Sequence, residues 1–299
     1  MGDTMGSKAA APSRPRLHVL AERVGDIESL DRPAEAVATK VREALDPGPV
    51  KDALSGAWLG HALHPLLTDI PIGTWSSATM LDLFGGRRAR PAVERLIGIG
   101  VLAAVPTAVT GTSDWADTTL ADASVRRIGA VHAVANTAAL LLYVGSLRAR
   151  RRGRHGRGVA LGLMGVGALA AGGHLGGHLS YDKGVGVNQT AFDALPEEST
   201  STVPEDEVRE GEATRASAGD VAILLSRHEG RVYALADRCT HRGGSLADGP
   251  LADGCVTCPL HGSIFRLADG AVVRGPAGAP EPAFAVRIED GTVDVRAVA

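Results

Sequence analysis

The chain has 299 residues, 44% of them hydrophobic and 22% charged, with a formal net charge of -3 at pH 7. A mean hydropathy of +0.06 in a chain with this many charges excludes a disordered protein and concentrates the apolar residues in part of the sequence, so two unlike regions are expected. Near neutrality gives no electrostatic case for a nucleic-acid partner.

Residues 1–25 begin polar and rich in Pro and Ala, without the apolar core of a cleavable signal peptide, and are expected to be a disordered tail. From Asp26 to Leu45 the apolar residues Ile27, Leu30, Ala34, Val37, Val41 and Leu45 recur at three- and four-residue steps, the pattern of an amphipathic helix packed on its own protein. Four apolar stretches follow, at about 66–84, 96–111, 128–147 and 159–179. Each approaches the roughly 20 residues that cross a bilayer. Gly172, Gly173, Gly176 and Gly177 in the fourth allow close helix packing. The expected product is a four-helix transmembrane bundle within a domain spanning 26–182.

Arginines orient the bundle. The first connection carries Arg87, Arg88, Arg90 and Arg95, and the third carries Arg148, Arg150, Arg151, Arg152, Arg154 and Arg157, whereas the second mixes Arg126 and Arg127 with Asp114, Asp117 and Asp122. The positive-inside bias makes the first and third loops cytoplasmic and places both termini outside, in a multi-pass cell-membrane protein. Asp82, beside the first of these loops, reads as a salt-bridge partner.

Residues 183–204 lose apolar periodicity and read as a linker. Beyond it, over 205–299, short alternating runs at Val221–Leu225, Arg231–Ala236, Ala271–Arg274, Phe284–Ile288 and Thr292–Val295 read as a small antiparallel β domain. The fold class is therefore α + β in two domains.

Within the β region stand Cys239-Thr240-His241 and Cys258-Pro259-Leu260-His261-Gly262. Two cysteines and two histidines in paired loops are what an asymmetric [2Fe–2S] cluster requires, two thiolates on one iron and two imidazoles on the other. A Cys₃His zinc site that includes Cys255 is the competing metal reading. Against it, Cys255 sits where a small buried strand residue would serve. The paired loops, with Gly243-Gly244, Gly262-Ser263-Ile264-Phe265 and the Gly275-Pro276-Ala277 turn, resemble those of Rieske proteins over about residues 205–297. The resemblance implies that Cys239, His241, Cys258 and His261 bind the cluster, that Ser263 tunes it, and that the two imidazoles are exposed for electron exchange. Rieske proteins of the quinol oxidase class carry a further cysteine in each loop and a tyrosine. Here those positions hold Gly244, Leu260 and Phe265, so the domain looks like the ferredoxin of aromatic-ring dioxygenases, with a potential toward the lower part of the Rieske range. No histidine follows His261, so no 2-His-1-carboxylate oxygenase site can be built there.

Of ten histidines, His61, His64, His132, His174 and His178 all fall at one end of the expected bundle, the end that carries the β domain, where Asp69, Asp114 and Trp115 also arrive. Such residues could hold a b-type haem, a quinone or a metal, or could cap helices and bond to backbone with no ligand. The stretch Leu59–Trp75, with Gly111-Thr112-Ser113-Asp114-Trp115 and Gly176-Gly177-His178-Leu179, resembles an uncharacterised family of bacterial four-span membrane proteins, known also fused to Rieske domains. The combined expectation is a membrane-anchored electron carrier that serves a ferredoxin reductase, an oxygenase or a quinol-linked donor. The rival is a haem- or quinol-linked oxidoreductase that uses the bundle histidines. No catalytic site for an organic substrate is legible.

Overall fold

The computed structural model describes residues 14–45, 48–118 and 122–298. Helix α1 (Arg16–Gly25) occupies part of the segment expected to be a tail. It forms because Ala21 and Val24 close a small core with Val125, Ile128, Leu175 and Leu179, and burial of that face orders a stretch whose composition alone reads as loose. Residues 1–13 lie outside the described set. The amphipathic helix is α2 (Asp31–Ala44), and α3 (Pro49–Ser55) leads by a short turn to the bundle. Asp31, at the start of α2, takes hydrogen bonds from both Arg126 and Arg127 and so pins the helix to the second interhelical connection.

Four long helices follow: α4 (Leu63–Phe84), α5 (Arg90–Thr118), α6 (Ala123–Arg151) and α7 (His155–Tyr181). They enclose a core of Trp75, Ala78, Val93, Ile97, Ala104, Ala139, Tyr143 and Leu169, with Trp75 stacked on Tyr143 at 4.3 Å. Pro71 cannot donate to the Leu67 carbonyl, and the Thr107 hydroxyl from α5 donates to it instead at 3.1 Å, so an interhelical bond replaces the one that the proline removes. Deep at the other end, Arg150 grips the carboxylate of Asp82 with two guanidinium N–H groups, the salt bridge expected of Asp82. Among the described residues, three helical segments, Arg87–Thr118, Ala123–Arg151 and His155–Tyr181, are long and apolar enough to cross a membrane. Helix α4 is 22 residues long but is not among them. His64, Thr68, Asp69, Thr74, Ser76 and Ser77 dilute its apolar character.

The β domain has two sheets. A six-stranded antiparallel sheet runs β1-β10-β9-β4-β3-β2, from β1 (Thr200–Pro204), β2 (Ala213–Ala218), β3 (Val221–His228), β4 (Arg231–Ala236), β9 (Ala283–Glu289) and β10 (Thr292–Ala297). A smaller sheet is β5-β6-β7-β8, from β5 (Leu251–Ala252), β6 (Cys255–Thr257), β7 (Ile264–Arg266) and β8 (Val272–Arg274). Side chains of β3 alternate between two cores. Ile223 and Leu225 pack with Phe284, Val293 and Val295, while Leu224 packs with Leu235, Val256, Phe265, Cys239 and Cys258. The cysteines thus sit where the two sheets meet.

The segment expected to be a linker is not a loose tether. Its end, Thr200–Pro204, is strand β1, with Thr200 opposite Val295. Gln189 donates its N–H to the Thr240 carbonyl at 3.0 Å, and Arg238 pairs with Asp193, so the connection wraps the first cysteine loop.

Candidate functional site

The two Cys/His loops are built alike. In the first, the Gly243 N–H donates to the Cys239 carbonyl and the Cys239 N–H to the Gly244 carbonyl, both at 2.8 Å. In the second, the Gly262 N–H donates to the Cys258 carbonyl at 3.0 Å and the Cys258 N–H to the Ser263 carbonyl at 2.7 Å. Both loops turn on a glycine with positive φ, +70° at Gly243 and +74° at Gly262, a conformation that a side chain would strain. Gly244 is needed for a second reason: a Cβ there would fall 2.7 Å from Leu260 and 3.4 Å from the Cys258 sulfur.

These turns bring four donors together. Cys239 and Cys258 are both buried, and the His241 and His261 rings meet edge-on with centroids 4.9 Å apart. His241 Nδ1 and both ring nitrogens of His261 are buried with no hydrogen-bond partner among the described residues. Buried polar atoms normally find partners, so an unpaired group of this kind marks a place for another ligand. Burial, with the neighbouring charges of His261, Arg242 and Lys51, pushes His241 down to about 3; burial lowers His261 too, opposed by Asp117. Both rings are therefore neutral at pH 7, the form that binds metal. Between the thiols the proton stays on Cys239, which donates toward Cys258; that contact and nearby backbone N–H groups bring Cys258 down to about 7 against its burial. A donor set of two thiols and two neutral imidazoles in one buried pocket fits a [2Fe–2S] cluster. Cys255 is the strand residue expected, on β6 opposite Arg266, but it is half-buried and lies outside the core that holds the other two cysteines.

The Ser263 hydroxyl oxygen accepts the Ala277 N–H at 3.0 Å and ties the second loop to the turn at Gly275-Pro276-Ala277. Glu281, which follows that turn, has no counterpart among the sequence expectations. It is 2% exposed, accepts the Thr240 N–H at 2.7 Å beside Cys239, and is pushed up by burial to about 8. Its only sequence signal is an acid flanked by prolines, a pattern common in plain loops.

The imidazoles are half-buried, not open as expected, because the helical domain packs against their loops and the adjoining turn. The Asp52 carboxylate on α3 accepts the Gly275 N–H at 2.8 Å. The backbone of Gly278 packs on that of His61 so tightly that a Cβ would lie 3.0 Å from the His61 Cα. Against the imidazoles stand Lys51 and Asp117, a buried ion pair at 2.7 Å, with the Lys51 ammonium also donating to the Ser113 hydroxyl and carbonyl.

The five bundle histidines do not form one cluster. His64 and His132 face each other with centroids 6.5 Å apart, and each Nδ1 is bonded to a carbonyl of the next helix, that of Thr107 at 2.9 Å and of Gly172 at 2.8 Å. Since a carbonyl only accepts, each Nδ1 carries the proton. Gly111 and Gly176 make room for the two rings. His61 is exposed in the loop before α4, His174 is exposed and bonded to the Leu17 carbonyl, and His178 is buried against α1. Asp69 is exposed on α4, and the Trp115 indole donates to the Arg126 carbonyl.

Two family models match the chain: a Rieske [2Fe-2S] domain over residues 199–288 and a predicted membrane protein (DUF2231) over residues 60–189. The anthranilate 1,2-dioxygenase ferredoxin subunit of Burkholderia cepacia is 36% identical over 90 residues, 30% of this chain and 83% of its own length. The chain belongs to the Rieske [2Fe-2S] family. The 3-phenylpropionate/cinnamic acid dioxygenase ferredoxin subunit of Escherichia coli (strain K12) is 38% identical over 91 residues, 30% of this chain and 85% of that protein. Among solved structures, the Sphingomonas yanoikuyae B1 ferredoxin matches 33% of this chain and 98% of its own at 28% identity, with a TM-score of 0.32. The protein is thus a Rieske electron-transfer domain joined to a helical domain of a membrane-protein family, as its two resemblances imply.

Proposed function

We propose that the protein is a membrane-anchored electron carrier with the domain limits expected from the sequence, except that α1 and β1 extend them. Cys239, His241, Cys258 and His261 would hold a [2Fe–2S] cluster, and Ser263 would stiffen the loop beneath it. The observation that carries this reading is the half-buried pair of imidazoles, three of whose ring nitrogens are buried with no partner among the described residues, beside two buried thiols. The cluster, when bound, supplies a one-electron centre at a potential that its ligands set. The residues of the chain fix the ligand loops and keep both imidazoles neutral. Helices α4–α7 would span the bilayer as four segments, their exposed apolar residues, such as Leu102, Val134, Leu141 and Met164, facing lipid. The arginine loops would lie in the cytoplasm, with both termini and the Rieske domain outside. The similarity to dioxygenase ferredoxin subunits supports a reductase or an oxygenase as redox partner.

The test is iron, acid-labile sulfide and EPR on detergent-purified full-length protein. Equal iron and sulfide with a Rieske EPR signal on reduction support the reading; zinc without sulfide overturns it. One observation favours a second reading, a haem- or quinol-linked oxidoreductase. His64 and His132 are the two bundle histidines that face each other with their Nδ1 atoms fixed. Sharp haem bands in a reduced-minus-oxidised spectrum, lost in His64→Ala, would establish it for haem. Their absence from the spectrum, together with retained iron, leaves the carrier reading in place.

A further inference from the structure

Helix α1 and the end of α7 each present a histidine and a carboxylate one helical turn apart, and the two pairs face each other. On α1 they are His18 and Glu22; on α7 they are His178 and, just past the helix end, Asp182. Residues at i and i+4 share a helix face, so the spacing aims both members of each pair the same way. His178 Nε2 lies 2.8 Å from the Glu22 carboxylate and 3.5 Å from that of Asp182, and His18 Nδ1 lies 3.8 Å from Asp182. The histidine rings meet edge-on at 5.3 Å, and the donor atoms of His18, His178 and Asp182 all lie within 4.8 Å of one another.

We propose that His18, Glu22, His178 and Asp182 form a zinc-class metal site that clamps α1 to the end of α7. Two imidazoles and two carboxylates are a nitrogen and oxygen set suited to zinc. Tetrahedral ligands at about 2.0–2.1 Å from zinc are about 3.3 Å from each other; His178 Nε2 lies 2.8 Å from Glu22 Oε1 and 3.5 Å from Asp182 Oδ2, and His18 Nδ1 lies 3.8 Å from the other Asp182 oxygen, so small side-chain shifts bring the four onto one ion. Lys183 donates to the Glu22 carboxylate and holds it below its usual range. That contact leaves Glu22 ionised, and Lys183 places its Nζ 2.8 Å from Oε1, the same oxygen that faces His178, and 3.7 Å from Asp182. Its ammonium is the competitor that an arriving cation meets, and its flexible stem lets it move aside. The site is separate from the cysteine loops, so it stands or falls independently of the cluster.

The consequence is mechanical. With the metal bound, α1 is held at both ends of the contact; without it, the ten-residue helix relies on its small apolar face. The experiment uses full-length, iron-loaded protein in detergent, stripped of other metal by a chelator, and measures zinc by competition with a chromophoric chelator and by elemental analysis. The expected result is one zinc per chain beyond the iron, with affinity lowered more than about 100-fold in His18→Ala and clearly reduced in Glu22→Gln, since loss of an outer partner alone costs about 10–100-fold. Both variants should keep their iron and EPR signal, which shows that they are folded. Zinc should also slow proteolysis within residues 16–25 of the wild type and not of His18→Ala. Absence of bound zinc in the wild type, or equal zinc in wild type and His18→Ala, overturns the proposal.

Discussion

Of the three edge-on imidazole pairs among the described residues, His64/His132 and His241/His261 differ in how their nitrogens are used. His64 and His132 each spend Nδ1 on a carbonyl of the adjoining helix, so those rings act as interhelical ties whether or not they hold anything else. His241 and His261 have three buried nitrogens with no partner among the described residues. Burying a polar group without a bond costs on the order of 1–3 kcal/mol by protein mutational data. Four histidines of similar burial thus separate into a pair bonded across helices and a pair whose buried nitrogens find no partner among the described residues.

Substitutions test this contrast, and the largest effect is expected at the unsatisfied pair. Cys258→Ser or His261→Ala should abolish the Rieske EPR signal and at least half of the bound iron, measured in the purified full chain. Retention of the full signal would break the comparison. Next comes the cover over that pair. Lys51→Met leaves Asp117 buried without its cation and should destabilise the protein by about 3–5 kcal/mol, read as a lower denaturation midpoint, with faster hydrogen exchange in the loops at His241 and His261.

At the satisfied pair the effects are smaller and structural. Gly111→Ala places a Cβ 2.5 Å from the His64 ring and should cost about 1–3 kcal/mol of bundle stability, with iron content unchanged. His64→Gln should cost about 1 kcal/mol, again with the EPR signal intact. A loss of iron in either variant would show that the two pairs are coupled. The smallest effect lies outside both. The Arg127 and Arg126 hydrogen bonds hold the Asp31 carboxyl well below its ordinary 3.8, and Lys183 holds Glu22 below 4.5. The docking that they provide is complete above about pH 4.5 and weakens as pH falls through the lowered values, because protonation removes the charge that the arginines and lysine bind. Hydrogen exchange across α1 and α2 should therefore rise on acidification below about pH 4.5.

Much of the candidate site was legible because its chemistry is local. Cys239 and His241 are separated by one residue, Cys258 and His261 by two, and each loop turns on its own glycine, so ligand type and spacing can be read together. The strands that alternate clearly, such as β4 and β10, were legible for the same reason. Helix α1 was missed because ten residues with one narrow apolar face are helical only when packed on α6 and α7. Strand β1 was missed because its pairing partner, β10, lies at the far end of the domain.

What the sequence by itself determined is the division into an apolar helical region and a β region, the paired Cys/His loops, and the role of Asp82 as an ion-pair partner. These follow from periodicity, composition and spacing over a few turns or strands. Only the tertiary structure decided that the helical domain packs against the Cys/His loops and the adjoining turn with Lys51, Asp52, His61 and Asp117, that the bundle histidines divide into separate sites, and that Glu281 is buried beside Cys239. Each of those contacts joins residues far apart in the chain, where no local pattern carries information and the burial of a charge or a ring depends on which distant surface covers it.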